Sequence, residues 1–210
     1  MRAICLTLFC SVALVTPAVA QPVRNIAIIT PYMPNQPDAT TKSDKGGAAL
    51  MFGPAGAAGL RVLRTRRSDN FGDIMVNQGF SGPSVFLNDL VQDLTTEGYQ
   101  VTIVPMARPD KAFVQAAPGV AAPTYLDVVV ANYGYHQAPL ENYKQAISLT
   151  YRTTDTASQK MLVSGSYEAK PNPQYQFSNQ RDLNLSPGLA MAGLNDELAQ
   201  AAAAIALAVK

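Results

Sequence analysis

Beyond residue 20 this 210-residue chain has no cysteine, since Cys5 and Cys10 are its only two. That absence excludes a disulfide, a thiol nucleophile and a thiolate metal site from everything downstream. Histidine is almost as scarce. His136 stands alone, whereas metal sites usually draw on several His, Cys or carboxylate ligands at defined spacing; a single imidazole at a strand end reads as a surface or hydrogen-bonded polar residue. Charge of one sign is not in excess, and no apolar run reaches the roughly 20 residues that a bilayer-spanning helix needs.

The first twenty residues have the three parts of a secretory signal: basic Arg2, an apolar stretch from Ala3 to Val15, and the small-residue pattern Ala18-Val19-Ala20 before Gln21. Residues 1–20 are therefore expected to be a cleaved signal peptide. Its removal lowers Lys plus Arg from 16 to 15, against 15 Asp plus Glu. A neutral chain gives no reason to expect nucleic acid as a partner. The composition points to a periplasmic or secreted protein, and Cys10, inside the apolar stretch, is misplaced for a lipoprotein anchor. The remaining 190 or so residues suit one domain with a sizeable core.

Arg24 to Thr30 reads as a short buried strand ended by Pro31. Residues 32–82 show no sustained period and form a Gly/Ala-rich insertion punctuated by Gly and Pro. A helix follows, with Ser81 as cap, Pro83 in its first turn, apolar Val85, Leu87, Leu90, Val91 and Leu94, and Gly98 as its stop. Tyr99 to Pro105 alternates as a strand, so that strand, helix and strand imply a crossover between parallel strands. Arg108 to Gln115 is expected to form a helical turn. In Tyr125 to His136, a central strand, Leu126, Val128 and Val130 fall on one face and Tyr125, Asp127, Val129 and Tyr133 on the other. Lys144 to Arg152 and Lys160 to Glu168 make an antiparallel hairpin, with Met161, Val163 and Tyr167 inward on its second arm. Ser186 and Pro187 open a final Ala-rich helix with Leu194, Leu198, Ala201, Ile205 and Val209 along one stripe. The expected fold class is α/β (α+β), a single mixed sheet of about five strands with two main helices packed on it, spanning residues 21–210.

Residues that carry chemistry are few. Gly79-Phe80-Ser81-Gly82-Pro83 breaks the spacing of a hydrolase elbow, and Gly53, Gly56 and Gly59 lack the Lys-Ser/Thr of a phosphate loop. Asp89, Asp93 and Glu97 recur every four residues, either as a solvated helix face or as paired acid and base. Asp127 is either an exposed strand residue or a carboxylate that anchors a loop. The uncharged stretch Gly46 to Leu60 meets Arg61, Arg64, Arg66 and Arg67, a pairing able to touch an anionic membrane surface or a partner. Five tyrosines, Tyr125, Tyr133, Tyr135, Tyr143 and Tyr151, pack across strands or line a recognition surface. Tyr133 and Tyr135 join the four arginines as candidate contacts.

Three stretches carry a resemblance: Glu97-Gly98-Tyr99-Gln100-Val101, where a helix ends in Gly-Tyr before a strand; Tyr125-Leu126-Asp127-Val128 leading to Gly134-Tyr135; and the hairpin arm Met161 to Tyr167. Together they resemble a loosely defined group of bacterial exported proteins and lipoproteins. The element order is similar to that of envelope domains typified by the TolB N-terminal domain and the curli secretion protein CsgG. The resemblance implies a mixed sheet, no cofactor and work done by protein contacts. The leading expectation is a non-catalytic periplasmic protein that binds an envelope partner, as an accessory to envelope assembly or transport. Its alternatives are an envelope hydrolase using Asp89, Asp93 or Asp127, and an oligomeric component pairing through sheet edges.

Overall fold

In the computed structural model of the chain, the residues described are 24–41, 70–108, 110–117 and 119–210. The expected signal peptide, the Gly46 to Leu60 stretch and Arg61, Arg64, Arg66 and Arg67 lie outside them. The expected mixed sheet is present, with six strands and four helices among the described residues. Its strands are β1 (Arg24–Ile29), β2 (Asp38–Thr41), β3 (Tyr99–Val104), β4 (Thr124–Gln137), β5 (Tyr143–Asp155) and β6 (Met161–Glu168). The helices are α1 (residues 70–77), α2 (Gly82–Thr96), α3 (Gln180–Leu185) and α4 (Pro187–Ala208).

The sheet runs β3-β1-β4-β5-β6 and does not close into a barrel. Strand β1 lies parallel to both β3 and β4, while β5 and then β6 add as antiparallel neighbours. Strand β4 is long enough to hold two partners along one side: β1 meets its first residues and β2 pairs in parallel with Gly134 to Gln137. The four-residue β2 follows Pro37 and has no apolar period, which is why it is invisible in the sequence.

One face of the sheet is covered by α2 and α4, which bury Phe86, Leu90 and Leu94 from the first and Leu194, Leu198 and Ile205 from the second. These side chains join Leu126, Val128 and Val130 of β4 and Phe71 and Met75 of α1 in one cluster. The opposite face holds a smaller cluster of Ala27, Ile29 and Tyr125, capped by Ala117 and Val120 from the β3–β4 connection. That connection is irregular at residues 110–117, in place of the expected helical turn.

Two departures from strict alternation decide which side chains are inside. Val130 pairs with Leu149 and Asn132 with Ser148, so Ala131 is an extra residue, a bulge in β4. Because the side-chain period is two, one extra residue inverts every later position. Tyr133 and Tyr135 therefore turn to the helix side, at 1% and 0% exposure, in place of the contact surface expected of them. Tyr135 packs edge-on to Phe71 and Phe177, with ring centroids 6.0 and 5.2 Å away. A second shift, between Thr153 and Thr154 of β5, pairs Thr154 with Met161. It puts Met161 outside at 55% exposure, where alternation with Val163 and Tyr167 places it inside.

Gly134 carries the closest approach in this region. Its φ is +150°, and a Cβ there would lie 2.0 Å from the carbonyl oxygen of Asp38 on β2. Gly134→Ala is expected to push β2 off β4 at a cost of about 2 kcal/mol or more. Gly188→Ala, where a Cβ meets nothing within 4 Å, is expected to stay within about 0.5 kcal/mol of the parent. Equilibrium denaturation of both variants checks the difference.

Candidate functional site

The face of the sheet away from α2 and α4 carries the polar chemistry, and β4 organises it. Asp127 projects there between Tyr125 and Val129 and is fully buried. Its Oδ1 accepts a hydrogen bond from Arg108 Nη1 at 2.5 Å, and its Oδ2 accepts from the Val114 backbone N–H at 2.7 Å. Arg152 Nη2 of β5 stands 3.8 Å from Oδ2. The two guanidiniums then hold the β3–β4 connection itself: Arg108 donates to the carbonyls of Val128 and Ala112, and Arg152 donates to that of Val114 and lies 4.8 Å from the Phe113 ring centroid. These side-chain partners take up main-chain groups of residues 112–114 that a helical turn would pair internally. Asp127 is thus the loop-anchoring carboxylate of the two alternatives posed by the sequence.

Past the bulge, the same face presents Asn132 and His136. Ser148 Oγ donates to Asn132 Oδ1, and His136 Nε2 stands 3.4 Å from Asp38 Oδ1 without the geometry of a hydrogen bond. His136 is thereby placed beside a carboxylate from β2, the strand that the sequence did not reveal. Asn132, His136 and Ser148 line a recess of about 280 Å³ together with Gln145, Ala146, Ile147, Glu168 and Ala169.

The carboxylates considered for acid and base chemistry are not all on one side. Asp89 and Asp93 sit on α2, over the helix-covered face, and Asp127 points to the other. Asp89 is held above the ordinary carboxylate range, first by burial and then by the charge of Asp93. Among the described residues no group of three or more His, Cys, Asp or Glu side chains gathers as a metal set, and no helix is long and apolar enough to cross a membrane.

Glu197 of α4 escaped the sequence reading. It is fully buried and accepts hydrogen bonds from Tyr167 Oη at 2.6 Å and the Lys170 backbone N–H at 3.0 Å. Burial, followed by this hydrogen bond and charge, pushes the Tyr167 phenol upward. The available signal was positional: Glu197 falls three residues after Leu194 on the inward stripe. Gln145 gave the same kind of signal, a polar residue between inward Tyr143 and Ile147.

No family model and no curated protein matches the chain. Solved structures do. Protein XCC0632 from Xanthomonas campestris, of the family described as DUF330, is similar over 91% of this chain and 86% of its own, with 12% identity and a TM-score of 0.49. The PelC dodecamer from Paraburkholderia phytofirmans is similar over 89% and 91%, with 12% identity and a TM-score of 0.37. Lipoprotein GNA1162 from Neisseria meningitidis is similar over 82% and 99%, with 13% identity and a TM-score of 0.27. One of these names is that of a lipoprotein and one that of a DUF330 protein, and none extends to the expected likeness to TolB and CsgG. At these identities and TM-scores none of them carries a role, partner or assembly over to this chain.

Replacing the central carboxylate tests the anchor. Asp127→Asn leaves the buried guanidinium of Arg108 and the partly exposed one of Arg152 without their counter-charge and is expected to cost about 3 kcal/mol or more. The amide of Val114 should then exchange with solvent much faster than in the parent, as read by hydrogen exchange; unchanged exchange there would show that the loop is held by other contacts.

Proposed function

We propose that this is an exported protein of the cell envelope that works by binding protein, not by covalent chemistry, and that it binds by strand pairing at the open edges of its sheet. The observation that carries the reading is the character of those edges. Among the described residues, β3 and β6 each pair on one side only. Natural proteins blunt such edges with charge, proline or bulges, because unpaired N–H and C=O groups recruit another strand. The edges are only lightly blunted: Tyr99 to Val104 contains no charged residue and no proline, and Met161 to Glu168 has no proline, a single charge at its last residue, Glu168, and one irregularity at Leu162. Both edges also expose large apolar side chains, Ile103 at 46%, Met161 at 55% and Leu162 at 53%.

Strand direction favours a second copy as the partner. Because β1, β3 and β4 are parallel, β5 opposes β4 and β6 opposes β5, the two edge strands run in the same sense. Placing β6 of one copy beside β3 of the next continues the sheet head to tail, the geometry that generates a ring or a filament. The signal-like first twenty residues support the location, and an accessory role in envelope assembly or transport is the use that fits such a binder. The placement of Asp127 on the face opposite α2 supports the non-catalytic reading.

Light scattering on the chain from Gln21 onward is expected to show species larger than a monomer at micromolar concentration. The double variant Leu162→Lys with Ser164→Pro, which charges and breaks the β6 edge, is expected to be monomeric with its thermal midpoint within a few degrees of the parent. A monomeric parent across the whole concentration range contradicts the proposal.

A further inference from the structure

Positive charge is in excess around the Asp127 anchor. Arg108 and Arg152 share that one carboxylate, and the Nε of each has no hydrogen-bond partner among the described residues. The Arg108 side chain is 5% exposed. Buried donors without an acceptor cost free energy, and in native proteins they call for an explanation. The β3–β4 connection widens the imbalance by nothing on the negative side that offsets its own lysine twice: Lys111 Nζ donates to the Ala131 carbonyl at 2.9 Å, and the one acid of the connection, Asp110, takes the Ala112 N–H at 3.0 Å. In this hydrogen-bonded network Arg108, Arg152 and Lys111 therefore meet only Asp127 and Asp110, a surplus of one positive charge.

A cleft opens beside that surplus. Residues 30–35, which leave the carboxyl end of β1, and Met106 and Arg108, which leave the carboxyl end of β3, line a cavity of about 410 Å³. Because β1 and β3 are parallel neighbours, both loops lie at the same end of the sheet, the end at which open parallel sheets hold ligands, and the volume suits a small molecule. A shared acceptor fixes the Arg108 head group there. The Val128 carbonyl accepts from the Tyr32 N–H at 3.0 Å and from Arg108 Nη1 at 3.1 Å, so the guanidinium lies against the main chain of Tyr32. The Tyr32 carbonyl accepts in turn from the Val130 N–H at 2.8 Å, one residue before the carbonyl that holds Lys111. Tyr32 and Asn35 give the lining its other polar side chains, Pro31, Pro34 and Met106 give it apolar walls, and it contains no acid.

From these observations we infer that the cleft binds a small organic carboxylate. Its charge lies beside Arg108 and supplies the negative charge that Asp127 and Asp110 leave short, in the pairing that carboxylate and guanidinium favour. Its short apolar chain lies along Pro31, Pro34 and Met106. A monoanion matches a surplus of one, whereas a phosphate dianion overshoots it and leaves the apolar walls uncovered. The site does not rest on the edge pairing proposed above, since its lining includes no residue of β6 and none of Tyr99 to Val104.

The probe is sodium butyrate, titrated into the chain from Gln21 onward at ionic strength held constant with sodium chloride. Arg108 also anchors the loop, so it is left in place, and its own Nε–H resonance in the NMR spectrum is the readout. A saturable shift of that resonance is expected at millimolar butyrate. Butyramide, the neutral isostere, and inorganic phosphate should each bind at least about tenfold more weakly. Met106→Glu, which puts a carboxylate into the wall of the cleft, should weaken butyrate binding at least about tenfold, while Met106→Gln binds as the parent does; both variants should keep the parent's thermal midpoint to within a few degrees. The Leu162→Lys and Ser164→Pro variant should bind butyrate as the parent does, which separates this site from edge pairing. No saturable shift at tens of millimolar butyrate overturns the inference, as does undiminished binding by Met106→Glu. Equal binding of butyramide overturns the role of charge, and equal binding of phosphate overturns the carboxylate assignment.

Discussion

The extra residue at Ala131 is the constraint on which the arrangement of this molecule turns. Strand β4 touches β1, β2 and β5, and its first half is a plain alternation with Leu126, Val128 and Val130 against the helices. Without the bulge, Tyr133 and Tyr135 would continue on the side of Asp127, and Asn132 and His136 would point into the helices. The bulge exchanges the two sets. Large aromatic area then goes to the core, where burial stabilises most, and the hydrogen-bonding groups go to the face where β2 delivers Asp38 to His136. Glycines are found where this exchange brings elements into contact: a Cβ at Gly82 would meet the Tyr133 ring at 2.6 Å, and one at Gly193 would meet the Tyr135 hydroxyl at 2.4 Å.

A second consequence is a sheet with two differently secured faces. The helix side is closed by apolar packing between α2, α4 and the strands. Among the described residues the other side is closed over its β1–β4 end, and there by one carboxylate in reach of two guanidiniums. Buried ion pairs of this kind contribute modestly to net stability, yet breaking one is costly because the remaining partner is left a bare charge. The β3–β4 connection, which has no regular structure, is positioned by Asp127. Farther along the same face the described residues include no such strap, and the polar groups of β4 and β5 line a recess.

Much of this fold was legible before the structure. The stripes of α2 and α4, the hairpin of β5 and β6 and the central place of β4 follow from apolar periods of 3.6 and 2 that are long enough to be distinctive. Three things were not legible. A four-residue strand, β2, has too few residues to show a period. A bulge leaves no mark, since Ala131 is as compatible with a regular strand as with an irregular one, and so the face expected for Tyr133 was reversed. Partners distant in sequence, such as Arg108 for Asp127 or Tyr167 for Glu197, depend on which elements become neighbours. The polar residues on inward positions were the exception: Gln145 and Glu197 interrupt apolar stripes that were themselves correctly drawn. Where a stripe is secure, the polar residue that breaks it marks the place for closer attention.

Tyrosine ionisation tests the inversion at the bulge most directly. Burial is the first cause holding the phenols of Tyr133, Tyr135 and Tyr167 above the ordinary tyrosine range. A folded pKa raised above the unfolded value contributes stability that is complete below about pH 10 and is lost as pH rises through the folded value. A spectrophotometric titration of phenolate absorbance should therefore show that Tyr133 and Tyr135 stay protonated at a pH where exposed tyrosines have ionised, and then ionise together with alkaline unfolding. Reversible ionisation of all nine tyrosines near pH 10, with the protein still folded, would place Tyr133 and Tyr135 at the surface and contradict the account.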